Sequence, residues 1–201
     1  MPTDADLIQI ATTALSDAYT RAGIGSGLRP GQWMACHPGC HQCCIGVFPI
    51  TTLDAARLNH ALTAADPAVA QRIQNRAAAA RTRLTPGFPG DPATGILFTE
   101  EHHEEAFEDF ANDEPCPVLD PATGTCDLYA ARPIPCRTFG PPMPNEDEGL
   151  AVCELCFVNA PETEVSRCAV DIHFLDIESA AVSEHEAITH THGLTLIAFA
   201  L

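Results

Sequence analysis

The stretch Cys36-His37-Pro38-Gly39-Cys40-His41-Gln42-Cys43-Cys44 places four thiols within nine residues. Spacing this short lets neighbouring thiolates converge on one ion, and Pro38-Gly39 supplies the sharp turn that convergence needs. Single cysteines bury readily as small apolar residues, but four in one run are not four inert core positions. His37 and His41 sit inside the run, as alternative ligands or as hydrogen-bond donors to thiolate sulfur. The run predicts a chain folded around a soft metal.

Working outward, a second group follows in Cys116-Pro117-Val118-Leu119-Asp120-Pro121-Ala122-Thr123-Gly124-Thr125-Cys126. The turn predicted at Asp120–Gly124 folds its flanks together and brings Cys116 towards Cys126. Asp-Pro-Ala-Thr-Gly also occurs at 91–95, a turn used twice with no longer repeat around it. Cys136 follows, then the pair Cys153-Glu154-Leu155-Cys156, then Cys168. An isolated CxxC can be a redox dithiol, but among so many other cysteines it reads as a ligand pair. The candidate metal ligands are therefore Cys36, Cys40, Cys43, Cys44, Cys116, Cys126, Cys136, Cys153 and Cys156, from the cysteine-rich stretches 31–46 and 113–168. Residues 113–161 hold more than half of the 17 prolines and read as loop and turn. So long a loop needs a tie in a compact domain, which coordination would provide.

Helices are expected around these segments. Leu7, Ile8, Ala11, Leu15, Ala18, Tyr19 and Ala22 recur at helical spacing over 4–22, with Asp4 as the expected cap and glycines from Gly23 as the stop. Val47–Ile50 reads as a short extended piece, and Pro49 argues for an edge strand or no strand at all. Thr51 or Thr52 caps a helix through Leu62. Asp66-Pro67 opens another to Leu84, with Val69, Ile73, Ala77, Ala80 and Leu84 as its stripe. Residues 85–99 read as a Pro/Gly-rich connection. Glu100–Asn112 reads as an acidic helix burying Ala106, Phe107 and Phe110. Cys168 to about Thr189 is expected to be helical, and Gly193–Leu201 a short strand or helical tail. The fold class expected is mainly α, a single domain over 1–201, with helices packed around a cysteine-rich, turn-rich metal-binding segment and little β.

The chain has 201 residues, no lysine, 10 arginines and 27 acids, for a formal charge of −17. An acidic field repels phosphate backbones, so no nucleic-acid partner is expected. Without lysine there is no P-loop lysine and no Schiff base. The N-terminus has no basic region leading into an apolar one, and no run approaches the ~20 apolar residues of a membrane span, so no membrane partner is expected. Cysteines clustered this way in a reducing cytoplasm are metal ligands before they are disulfides.

Other motifs fall short. His185-Glu186-Ala187-Ile188-Thr189 puts threonine where the zinc-protease pattern needs its second histidine. Glu101-His102-His103-Glu104-Glu105 reads as a solvated helical face. Cys36-x3-Cys40-x2-Cys43 has the spacing of radical S-adenosylmethionine enzymes. Gln42, however, stands where an aromatic is usual, and the strand–helix alternation of that fold is missing. No constellation marks a catalytic residue.

The run Cys116, Leu119, Cys126, Tyr129, Arg132-Pro133, Cys136-Arg137 and Phe139, with the first cluster before it, resembles the YkgJ-like cysteine-cluster proteins. That family carries a CxxCxxCC signature and chelates zinc or iron. The resemblance covers about 36–140 and departs at the first gap, three residues from Cys36 to Cys40 where two are usual. A flagellin lysine methylase with a similar domain is linked to an iron–sulfur cluster, and the resemblance extends that expectation here without methylation. The cofactor expected is an iron–sulfur cluster, with zinc as the alternative. The protein would then be a metal-binding protein; the alternatives are a zinc-held structural or interaction protein, a metal-sequestering protein, and a cluster-dependent oxidoreductase or modifying enzyme.

Overall fold

The computed structural model describes residues 3–24, 33–99, 107, 109–145 and 149–201. About half of the chain is helical and about 10 % is strand, so the fold is mainly α as expected. Among the described residues no helix is long and apolar enough to cross a membrane. The chain divides into two compact units: Met1–Cys40 with Ile134–Ala181, and His41–Pro133 with Val182–Leu201.

The first unit is built on α1 (Asp4–Ile24). Its cap is Thr3, one residue before the expected Asp4. The Thr3 hydroxyl accepts from Asp6 N–H at 3.3 Å, and the Asp6 carboxylate accepts from Thr3 N–H at 2.7 Å. This reciprocal pair satisfies two backbone donors at once, which Asp4 inside the first turn cannot do. Leu7, Ala11, Leu15 and Ala18 form the buried stripe. Against it pack Ile134 of α4 (Ile134–Thr138), Val170, and Phe174 of α6 (His173–Thr189). Burying a side chain such as Phe174 contributes roughly 1.5–3 kcal/mol.

The helix expected from Cys168 is interrupted. A short α5 (Glu162–Arg167) ends at Cys168, and α6 begins only at His173. Two bonds break the run: Val170 N–H donates to the distant Pro142 O at 2.9 Å, and the Asp171 carboxylate takes His173 N–H at 3.1 Å. Arg21 donates to Arg167 O at 3.1 Å and to Ala169 O at 2.6 Å, pinning this break to α1.

The second unit carries α2 (Thr52–Ala64) and α3 (Pro67–Leu84). Thr51 caps α2 by accepting from Asp54 N–H, and Asp66 caps α3 by accepting from Ala68 and Val69, as the sequence predicts. Ile73, Ala77, Ala80 and Leu84 are buried, while Val69 at the open end is half-buried. The connection expected over 85–99 is a hairpin, β2 (Gly90–Asp91) with β3 (Ile96–Leu97). It joins β1 (Ile50–Thr51) and β8 (Leu194–Thr195) in an antiparallel sheet of order β1-β8-β3-β2. The C-terminal stretch is both of its expected forms: β8, then α7 (Ile197–Ala200) packed on α2 and α3. Phe88 stacks on Phe199 at 4.2 Å over a core of Leu84, Leu97 and Leu196. Phe107 and Phe110 pack on it too, but most of the helix expected over 100–112 lies outside the described residues. The described residues of 113–161 are loop and turn broken by short elements: hairpins β4–β5 (Leu119–Asp120, Thr125–Cys126) and β6–β7 (Met143–Pro144, Leu150–Ala151), with α4 between them.

Candidate metal centre

The unit boundary falls between Cys40 and His41, inside the opening cysteine run. Cys36, Cys40, Cys136, Cys153, Cys156 and Cys168 belong to the first unit; Cys43, Cys44, Cys116 and Cys126 belong to the second.

The second unit's four are assembled by backbone pairing. Cys43 and Cys44 lie on a single 3-10 turn, Gln42–Cys44. The chain then extends beside 114–116: Cys116 N–H donates to Cys44 O at 2.8 Å, and Gly46 N–H to Glu114 O at 3.0 Å. Gly46 has φ +88°, and a Cβ there would meet the Asn112 carbonyl oxygen at 3.1 Å, so glycine permits this approach. From Cys116 the hairpin β4–β5 returns the chain, with Cys126 opposite Leu119. The turn at 120–124 thus closes as the sequence predicts.

Two arginines of α3 clamp the result. Arg76 donates to Pro117 O at 2.7 Å and ion-pairs with Asp127, so one guanidinium holds both arms of the hairpin. Arg83 ion-pairs with Glu114 at 2.6 Å. Sequence reading missed both, because their partners lie far along the chain and arginine on a helix face carries no signal of what it reaches.

The electrostatics follow from crowding. A hydrogen bond from Cys44 lowers the Cys43 thiol to about 6, and the charges on Arg132 and His41 assist. Cys44 is pushed up as the donor of that bond, by burial, and by the charges of Cys43, Cys116 and Cys126. Burial pushes Cys116 up to about 11 and raises Cys126. Several thiolates in one place repel one another unless a cation neutralises them. Arg132 lies over the Tyr129 ring, 3.8 Å from its centroid, so the exposed Tyr129 acts as a shelf for that charge.

In the first unit the Cys36 and Cys156 sulfurs are 4.0 Å apart. Cys156 is buried, and its sulfur accepts from Ala35 N–H at 3.4 Å. Cys156 N–H donates to Cys153 O at 2.8 Å, closing the CxxC turn. Burial pushes the Cys156 thiol up to about 12, with Cys36 and Cys153 adding to the rise. Gly140 (φ +117°) lies against Cys36; a Cβ there would stand 2.9 Å from the sulfur. Cys136 lies on α4. The turn joining Cys40 to His37 is closed by Cys40 N–H at 2.9 Å from His37 O. The His37 ring bonds the neighbouring Pro38 carbonyl at 2.9 Å, which occupies its Nδ1. Cys168 is fully buried with Ala22, Met34 and Phe157, and burial raises its thiol.

The candidate donors are all thiols, and thiolate sites suit zinc or iron. Two thiolates on one tetrahedral ion with bonds of about 2.3 Å stand about 3.8 Å apart. The Cys36–Cys156 pair is close to that distance. The thiols are neighbours, not a finished cage: among the described residues no three His, Cys, Asp or Glu side chains already converge on one point. Metal binding that tightens its own ligands is ordinary for such sites.

The family profile "CxxCxxCC: Putative zinc- or iron-chelating domain" matches residues 35–157. The match covers more than half of the chain, which belongs to this family. No curated protein matches, and no solved structure matches.

Proposed function

We propose that this member of the chelating family holds an iron–sulfur cluster on Cys43, Cys44, Cys116 and Cys126. The observation that carries the reading is the pairing of 44–46 with 114–116, continued by the β4–β5 register, which gathers four thiols within one unit. Cys43 and Cys44 supply the shortest-spaced pair, and Cys116 and Cys126 are presented by the arms of one hairpin. Arg76 fixes those arms. Arg132, held on Tyr129, offsets negative charge at Cys43 and Cys126. Pro117, Leu84 and Leu196 line an apolar hollow beside Cys116 and limit water on that side. Bound there, a cluster would supply one-electron chemistry or a Lewis-acidic iron. Thiolate ligands must stay reduced, which favours a cytoplasmic setting.

The second reading is zinc on the same thiolates, supported by the family's own breadth. Anaerobically purified, iron-replete protein separates the two. An iron–sulfur protein is brown, with broad absorption near ~400 nm and acid-labile sulfide. Colourless protein with stoichiometric zinc and no labile sulfide overturns the iron reading, because zinc is d¹⁰ and has no such transitions.

A further inference from the structure

We infer that the cysteine signature is split, and that Cys36 belongs to a second, mononuclear metal site in the first unit with Cys153 and Cys156. The inference rests on the chelating reading of the family but not on iron.

Three observations carry it. The Cys36 and Cys156 sulfurs lie 4.0 Å apart although 120 residues separate them, so the fold itself brings them together. That separation suits two ligands on one tetrahedral ion, for which about 3.8 Å is expected; the ligands of a [4Fe–4S] cluster, each on its own iron, stand farther apart. Next, the Cys156 sulfur already accepts a backbone N–H from Ala35, the residue before Cys36. Such N–H bonds steady a metal-bound thiolate. Finally, Cys153 precedes Cys156 in a closed turn and packs on the same cluster of Met34, Cys156 and Phe157. A CxxC turn of this kind presents both sulfurs to one ion.

The scaffold agrees. Phe157 N–H donates to Trp33 O at 2.6 Å, and the two rings stack, so the chain ends carrying Cys36 and Cys156 are fastened just beyond the thiols. Glycine at 140 leaves room against Cys36 for the segment that follows Cys136. Three thiolates are thereby assigned. Cys40 and Cys136 belong to the same unit, and an ion of the zinc class is what three or four thiolates select.

The test uses the full chain, stripped of metal anaerobically and titrated with Co²⁺ alone. The readouts are visible absorption and bound metal per chain. Wild type should take up about two ions, one for each thiolate site. Cys36→Ser should lose one and keep the other, and Cys43→Ser should do the converse. Cys36 is exposed and Cys156 is buried, so Cys36→Ser is the substitution that spares the fold; retained helical circular dichroism verifies this. Wild-type uptake of one ion, lost in Cys43→Ser and untouched by Cys36→Ser, overturns this site while leaving the proposed function standing. Loss of every ion in each variant shows one shared site and also overturns it. A wild type that takes up no ion overturns both.

Discussion

The two cysteine groups are held by different forces. In the second unit the thiols ride on backbone pairings and are clamped by Arg76 and Arg83 from α3. In the first unit Cys156 and Cys168 are packed into an apolar cluster with Met34 and Phe157, and Cys36 reaches Cys156 from an exposed loop. Hydrogen-bond ladders fix register and tolerate changes in nearby side-chain volume. Apolar packing fixes position by volume and resists such changes. The second group should therefore depend on polar clamps and on its metal, and the first on its core.

The largest effect expected is from removing metal. The hairpin segment 113–133 has no helix or strand longer than three residues, whereas α3 is a continuous helix of 18 residues that buries Ile73, Ala77, Ala80 and Leu84. A protease that cuts after small residues finds Ala122 and Ala130 in the segment and Ala77–Ala80 in the helix. Once the reduced protein is stripped, cleavage in the segment should accelerate on the order of tenfold, while the helix stays protected. Mass mapping of the first fragments checks this. Equal cleavage with and without metal would mean that the arginine clamps suffice.

A smaller effect separates two arginines with matched duties. Arg76 donates to Pro117 O and pairs with Asp127; Arg21 donates to Arg167 O and Ala169 O. Each forms charge-assisted bonds to partly buried acceptors, so replacing either by alanine should cost about 1.5–3 kcal/mol in chemical denaturation. Only Arg76→Ala should also weaken metal retention against a competing chelator, because only Arg76 holds the arms that carry Cys116 and Cys126. If Arg21→Ala releases that metal equally, the two groups do not act separately.

Much of this was legible in the sequence where causes are local. Thr51 and Asp66 cap their helices because the accepting side chain and the donating N–H lie within three residues. Asp120–Gly124 turns because proline and glycine preset its dihedrals. The cysteines were legible as a ligand set but not as two groups. Spacing along the chain joins Cys40 to Cys43, and only the pairing of Cys44 with Cys116, 72 residues away, shows which unit the later thiols enter. The break after Cys168 was hidden for the same reason. Its residues suit a helix, and the Pro142 carbonyl that captures Val170 N–H lies elsewhere in sequence. The strands β2, β3, β6 and β7 escaped notice because each is two residues long, too short to display alternation.

The smallest effect uses the repeated turn. In both copies the aspartate accepts a backbone N–H two residues on, at 2.9 Å for Asp91 and 3.1 Å for Asp120. In both, the threonine hydroxyl donates to the same carboxylate, at 3.0 Å and 2.8 Å. The copies differ in what they join: 91–95 closes the β2–β3 hairpin of the sheet, and 120–124 separates Cys116 from Cys126. Asp91→Ala and Asp120→Ala should each lower the melting temperature slightly, but only Asp120→Ala should also loosen the metal. The Asp120 carboxyl is held below its ordinary range by the Thr123 hydroxyl and then by Ala122 N–H. A lowered folded-state pKa means that the unfolded chain takes up the proton first. The stabilisation is therefore complete above the unfolded value near ~3.9 and is lost as pH falls through the folded one. Metal-free wild type and Asp120→Ala should thus differ in melting temperature at neutral pH and converge in acid. A gap that widens on acidification would reverse the sign of the linkage, and metal loss from Asp91→Ala as great as from Asp120→Ala would show that the turn acts through general stability and not through the thiols it joins.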